Sequence, residues 1–188
     1  MFRLLILIAA LPIVAAFVAR WWFGMRILSS EGRRQCSCDL ARWEKTFGSE
    51  NLPPSKSGDA SIYAALLRKS ALADWNTRAP KAAASREGAR RFGMAVPPLS
   101  LMVAILAVFV MKIGVPMAIA IFLLAIAFSV IISYLSIAPE LNAMLAASRR
   151  LRDSGVFHRR DDEDAVINAA NALVWKEAAP PVFNLIQR

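Results

Sequence analysis

Three long stretches without a charged residue interrupt an otherwise polar chain: Leu4 to Ala19, Phe92 to Met111 and Ile113 to Pro139. Each approaches or exceeds the ~17–25 residues with which a helix crosses about 30 Å of hydrocarbon, so the pattern predicts three membrane-spanning helices. Only Lys112 to Pro116 separates the second span from the third, and its Gly114 and Pro116 suit a tight turn, so these two spans read as a hairpin. Trp21 and Trp22 place the exit of the first span near Phe23, because an indole ring has an apolar body and a polar N–H.

The polar stretches carry shorter periodicities. Leu40, Trp43 and Phe47 recur at helical spacing and Gly48 supplies a stop, predicting a short amphipathic helix. Asn51 to Asp59, with Pro53 and Pro54, reads as a loop. A second helix starts with Asp59 or Ser61 as its cap, and Ile62/Leu66, Tyr63/Leu67 and Ala71/Trp75 each share a face. Pro80 opens an Ala- and Arg-rich helix that leads into the second span, with Arg90 and Arg91 at its mouth.

After the third span, Pro139 opens a helix whose stripe is Leu141, Met144, Leu145, Ser148 and Leu151, ended by Gly155. Asp161 to Asp164 open the last helix, with Val166, Ile167, Ala170, Leu173 and Val174 as its apolar face and Pro180 and Pro181 as its stop. The predicted fold class is therefore all-α. It is a polytopic membrane protein of three transmembrane helices with small amphipathic helical extramembrane parts. The segments are an N-terminal anchor (1–25), a basic helical insert (26–91), a membrane hairpin (92–138) and a C-terminal helical hairpin (139–188). Arg20, Trp21 and Trp22 look like an interfacial anchor, so the first span reads as retained; a cleaved signal peptide is the alternative.

Composition supports the lipid reading, with 57% hydrophobic residues and a mean hydropathy of +0.44. The polar stretches hold about 70 and about 50 residues, neither enough for a sizeable core of its own. Both are expected to lean on the membrane or on a partner. The formal net charge is +9, and residues 20–91 hold 14 Lys/Arg against 7 Asp/Glu. Basic residues beside spans mark the side that is not translocated. The insert and the Arg149, Arg150, Arg152 cluster are thus predicted cytoplasmic, with the N-terminus outside.

Trp21, Trp22, Arg86, Arg90, Arg91, Arg149 and Arg150 are the candidates for contact with anionic lipid headgroups. Nucleic acid is not an expected partner, since no aromatic residue lies between Trp75 and Phe92 to stack on bases. Trp43, Phe47, Leu66, Trp75, Leu145 and Leu173 are the candidates for a protein partner or oligomer. Ser100 and Ala104 on one span, and Ala125, Ser129 and Ser133 on the other, are spaced for close helix packing.

Little in the chain suggests catalysis, and no cofactor is expected. Cys36 and Cys38 are one residue apart, a spacing that strains a disulfide and supplies only half of a metal site, so they read as free thiols. His158 is the only histidine and reads as a solvated turn residue. HExxH, a Gly-rich phosphate loop and a nucleophile elbow are all absent. Asp161 to Asp164 lack the alternation and the glycine of a calcium loop, so a helix N-terminus explains them. Glu140, at the end of the third span, is expected to reach the interface and assist a helix start. A metal-dependent hydrolase or metal carrier using Cys36, Cys38 and His158, and an anionic-lipid-binding anchor, are the alternatives to a non-catalytic scaffold.

The stretch from Phe128 to Leu151, with Pro139-Glu140-Leu141-Asn142-Ala143 and Ala147-Ser148-Arg149-Arg150-Leu151, resembles the end of the bacterial membrane-bound neutral zinc metallopeptidases. Val166-Ile167-Asn168-Ala169-Ala170 and Ala172-Leu173-Val174 are similar to the Ala-rich helix that follows in that family. Here about four residues more separate the Pro-Glu-Asn and Ser-Arg-Arg elements, one helical turn, which keeps their facing. The family's HExxH domain has no counterpart, because residues 26–91 contain no histidine. The resemblance implies a relative in the bacterial cytoplasmic membrane that kept the scaffold and lost the enzyme, a pseudoenzyme with no active-site residue to carry over.

Overall fold

Within hydrocarbon an unpaired backbone N–H or C=O costs several kcal/mol, so each apolar run has to close its hydrogen bonds inside itself as a helix. The computed structural model describes residues 2–110 and 112–178, without the side chains of Phe2 and Arg3; Pro180 and Pro181, expected to stop the last helix, lie outside the described residues. The described residues are 83% helical and mostly all-α. Among the described residues, three helical stretches are long and apolar enough to cross a membrane: Leu4–Ser30, Pro80–Phe109 and Val115–Ser154.

The chain divides into two units. Of the described residues, those within 2–20, 84–137 and 177–178 form the first, and residues 21–83 and 138–176 the second.

In the first unit, α1 (Phe2–Ala19) packs along α6 (Val115–Leu135). Ala16, Ile126 and Val130 are buried there with Ile13, Phe122 and Tyr134 around them, and the Tyr134 hydroxyl donates to the Ala16 carbonyl at 2.9 Å. α5 (Pro80–Phe109) meets α6 where Gly93 faces Ser129 and Ser133, and the rings of Phe92 and Phe128 lie edge to face 6.2 Å apart. A Cβ on Gly93 would sit 3.0 Å from the Ser133 hydroxyl, so the close approach depends on glycine. Of the small residues expected to pack, Ser129, Ser133 and Ala104 are buried and Ser100 and Ala125 partly buried. The sequence reading missed Gly93 opposite the serines and the pairing of the first span with the third. Lys112, in the turn between α5 and α6, has a left-handed φ of 52°.

In the second unit the insert and the C-terminal stretch close on one another. Each stretch, too small for a sizeable core of its own, thus leans on the other. The chain leaves α1 through a wider π-helical turn, Arg20–Met25, and continues as α2 (Arg26–Ser30), so helical structure runs on beyond Phe23. β1 (Gln35–Ser37) pairs antiparallel with β2 (Ser57–Asp59), with Cys36 opposite Gly58. Asp39 caps α3 (Leu40–Phe47), its carboxylate accepting from the N–H groups of Ala41 and Arg42. Gly48, at φ 82°, ends that helix.

Asp59 precedes α4 (Ala60–Arg78) but makes no side-chain cap; its carboxylate accepts from Gln35 instead. α7 (Ala138–Ser154) packs against α3 and α4, and Gly155, at φ 56°, turns the chain toward α8 (Arg160–Ala178). In that turn Phe157 bridges to Cys38, and the Asp39 N–H donates to the Val156 carbonyl at 2.9 Å. Main-chain bonds thus tie the insert to the C-terminal stretch.

The core of this unit holds Trp43, Tyr63, Leu67, Met144, Leu151, Val156, Val166 and Val174, all fully buried. On α7 the buried stripe is Glu140, Met144, Ala147, Ser148 and Leu151; Leu145, expected in it, is exposed. The acidic run of α8 does more than complement the helix dipole. Asp162 and Glu163 are buried, Arg34 pairs with Asp161 and Asp162 at 3.4 and 3.3 Å, and Arg152 reaches Asp164 at 2.8 Å.

Candidate functional site

Two helix faces in the second unit leave a groove between them. α4 contributes Ala71, Asp74, Trp75 and Arg78, and α7 contributes Pro139, Asn142, Ala143, Ala146 and Arg150. Both sets step by three and four residues, so each is one side of its helix. Alanines on the floor leave an opening of about 270 Å³. Trp75 is half-buried along it. Asp74 pairs with Arg78 at 3.7 Å and with Arg150, so two guanidinium groups flank one carboxylate. The structure thereby joins Trp75, expected to meet a protein, with Arg150, expected to meet lipid. Asp74, Asn142, Ala143 and Ala146 were not singled out beforehand, although Ala71 and Trp75 had been placed on one face.

The other interaction candidates divide by burial. Trp43 is 0% exposed and is a core residue, which corrects its assignment to a binding surface. Its ring lies 4.9 Å from Phe47, 6.0 Å from Tyr63 and 6.3 Å from Phe157, and its Nε1–H donates to the Asn51 carbonyl at 2.8 Å. Phe47, Leu66 and Leu173 are half-buried, and Leu145 is exposed. Two large apolar side chains outside the candidate set, Leu52 and Ile62, are each 40% exposed. Ile62 and Leu66 are one turn apart on α4, which packs on the short turn Ser49–Asn51 just before Leu52.

Among the basic candidates, Arg90, Arg91 and Arg149 are exposed, with Arg91 bonded to Glu87 at 3.0 Å. Arg86 is buried, which corrects its assignment to the headgroup surface: it donates to the Ser133 carbonyl at 3.2 Å and to the Ser136 hydroxyl at 2.8 Å. Trp21 and Trp22 are half exposed, and the Arg26 guanidinium lies 4.4 Å over the Trp22 ring. Glu140 does not reach an interface. It is buried and accepts two bonds from Arg68, at 2.7 and 3.1 Å.

Cys36 and Cys38 are free and buried, both facing inward because alternate residues of a strand share a face. Burial, with the Asp162 carboxylate nearby, pushes the Cys36 thiol up to about 11; burial also raises Cys38. Tyr63 is raised by burial and by its bond with Cys38, and Glu163 by burial. Thiols held in the neutral form are poor nucleophiles and poor metal ligands. His158 is exposed, and among the described residues no three His, Cys, Asp or Glu side chains are grouped to hold an ion. No protein-family model, no curated protein and no solved structure matches this chain.

Proposed function

We propose that this chain is a non-catalytic scaffold subunit of the bacterial cytoplasmic membrane, with its N-terminus outside, which holds its second unit in the cytoplasm to bind a protein partner. The charge bias of residues 20–91 supports the orientation, since few other features hold basic segments on one side of a bilayer. The reading of a degenerate relative of the membrane zinc metallopeptidases draws on the same residues as before. Pro139 to Ala143 and Ser148 to Leu151 lie on α7, and Val166 to Val174 on α8.

The observation that carries the partner reading is the outward side of the insert. Leu52 and Ile62 remain 40% exposed, Ile62 one turn from half-buried Leu66 on α4 and Leu52 directly after the turn Ser49–Asn51 on which α4 packs. Apolar side chains left exposed on elements that pack together support an interaction site, whereas single exposed leucines are ordinary.

The test is a photo-crosslinking residue at Ile62 in intact cells. A discrete adduct of one mass that disappears when Leu52 and Leu66 are changed to Asp supports the reading. A folded protein that gives no adduct from Ile62, Leu52 or Leu66 overturns it.

A further inference from the structure

The groove between α4 and α7 is independent of the Leu52/Ile62 surface and has a different chemistry. We propose that it binds the headgroup of an anionic phospholipid, with the phosphate between Arg78 and Arg150 and the glycerol backbone against the Trp75 ring.

Three observations carry this. Arg78 and Arg150 flank Asp74, so the rim keeps one positive charge in excess, and both guanidinium groups retain exposed surface to meet a phosphate. Trp75 lies half-buried along an alanine floor, and an indole with one wet and one dry side suits the glycerol level of a bilayer. Pro139, at one end of the groove, follows Leu135, the last residue of α6, by four positions. Four residues of chain span at most about 14 Å, so Pro139 itself is tethered within that distance of the end of α6.

An opening of about 270 Å³ falls just below the range that encloses whole small ligands, which fits a headgroup whose acyl chains stay in the bilayer. An acidic peptide would satisfy the same arginines. The tether to the span favours lipid, which is present there at far higher local concentration.

The experiment uses the full-length protein in nanodiscs of phosphatidylcholine with and without phosphatidylglycerol, and reads retained lipid by native mass spectrometry. One phosphatidylglycerol retained over phosphatidylcholine is expected, weakened about fivefold for each of Arg78→Gln and Arg150→Gln. Because each of these substitutions also removes one of the two guanidinium partners of Asp74, Ala146→Trp serves as a second variant: it fills the floor without changing charge and should also expel the lipid. Equal retention of both lipids, retention unchanged in Ala146→Trp with the fold intact, or a co-purifying peptide in place of lipid overturns the proposal.

Discussion

Arg68 on α4 and Glu140 at the start of α7 form an ion pair 72 residues apart in sequence, with the Arg68 Nη2 2.7 Å from the carboxylate and side chains only 12% and 4% exposed. Breaking a buried ion pair by removing one partner costs about 3–5 kcal/mol, whereas an apolar pair of similar volume is often tolerated. Glu140→Ala and Arg68→Ala are expected to lower the thermal stability of the detergent-solubilised protein sharply. Arg68→Met combined with Glu140→Leu should recover much of the loss. A double variant no more stable than the singles would show that the pair is not what couples these helices.

The Cys36 thiol titrates near 9 in an unfolded chain and near 11 in the fold. The folded state therefore holds its proton more tightly, and the stability this confers is complete below pH 9 and lost as pH rises through 11. Native protein at neutral pH is expected to leave both cysteines unmodified by maleimide, with both reacting after denaturation. Unfolding followed between pH 8 and 11, in wild type and in Cys36→Ala, measures the effect. The variant should show the shallower decline, and identical pH profiles would refute the assignment.

Two glycines should respond in opposite directions to a larger side chain. A Cβ on Gly24 would meet the backbone of Lys176 at 3.2 and 3.3 Å, where Phe23 and Trp175 also stack with ring centroids 5.2 Å apart. Backbone cannot swing aside, so Gly24→Val is expected to destabilise by about 1–3 kcal/mol. Gly88, within α5, has nothing within 4 Å of its added Cβ, and replacing a helix-interior glycine with alanine contributes about 0.8–1.0 kcal/mol. Thermal unfolding of both variants in one detergent decides the matter, and the prediction fails if their shifts have the same sign.

The three spans were legible because lipid imposes a local rule: an uncharged run of sufficient length has to be a helix, whatever it packs against. The stops at Gly48 and Gly155 were legible for the same reason, since each acts within a few residues, whereas the Asp39 cap of α3 was not singled out. What escaped was long-range. Gln35-Cys36-Ser37-Cys38-Asp39 alternates as a strand does, but three residues of β1 have meaning only once Ser57–Asp59 arrives to pair with them. Glu140 looked like an interfacial carboxylate because nothing near it in sequence names Arg68 as its partner. Trp43 looked available for binding because the aromatic residue on its far side, Phe157, lies beyond two membrane spans. Of the groove, α4's contribution was half visible in the Ala71/Trp75 spacing, whereas the α7 wall was read as a different stripe.

The proposed orientation rests on charge alone, and the structure supplies better reporters for it than the native thiols, which are buried on either side of the bilayer. Gly114 lies in the turn between α5 and α6, exposed, at an ordinary φ of −61° and with only Pro116 near its added Cβ, so Gly114→Cys should be tolerated. Lys69, exposed on α4 in the second unit, suits Lys69→Cys. In a background with Cys36 and Cys38 intact, a membrane-impermeant maleimide is expected to label Gly114→Cys in whole cells. It should reach Lys69→Cys only after permeabilisation. The basis is that moving the excess positive charge of residues 20–91 across the membrane is opposed, whereas the outer face would carry only Arg3 and Lys112. Labelling of Lys69→Cys in intact cells, with Gly114→Cys protected, would turn the molecule over and place the partner surface and the groove on the opposite side.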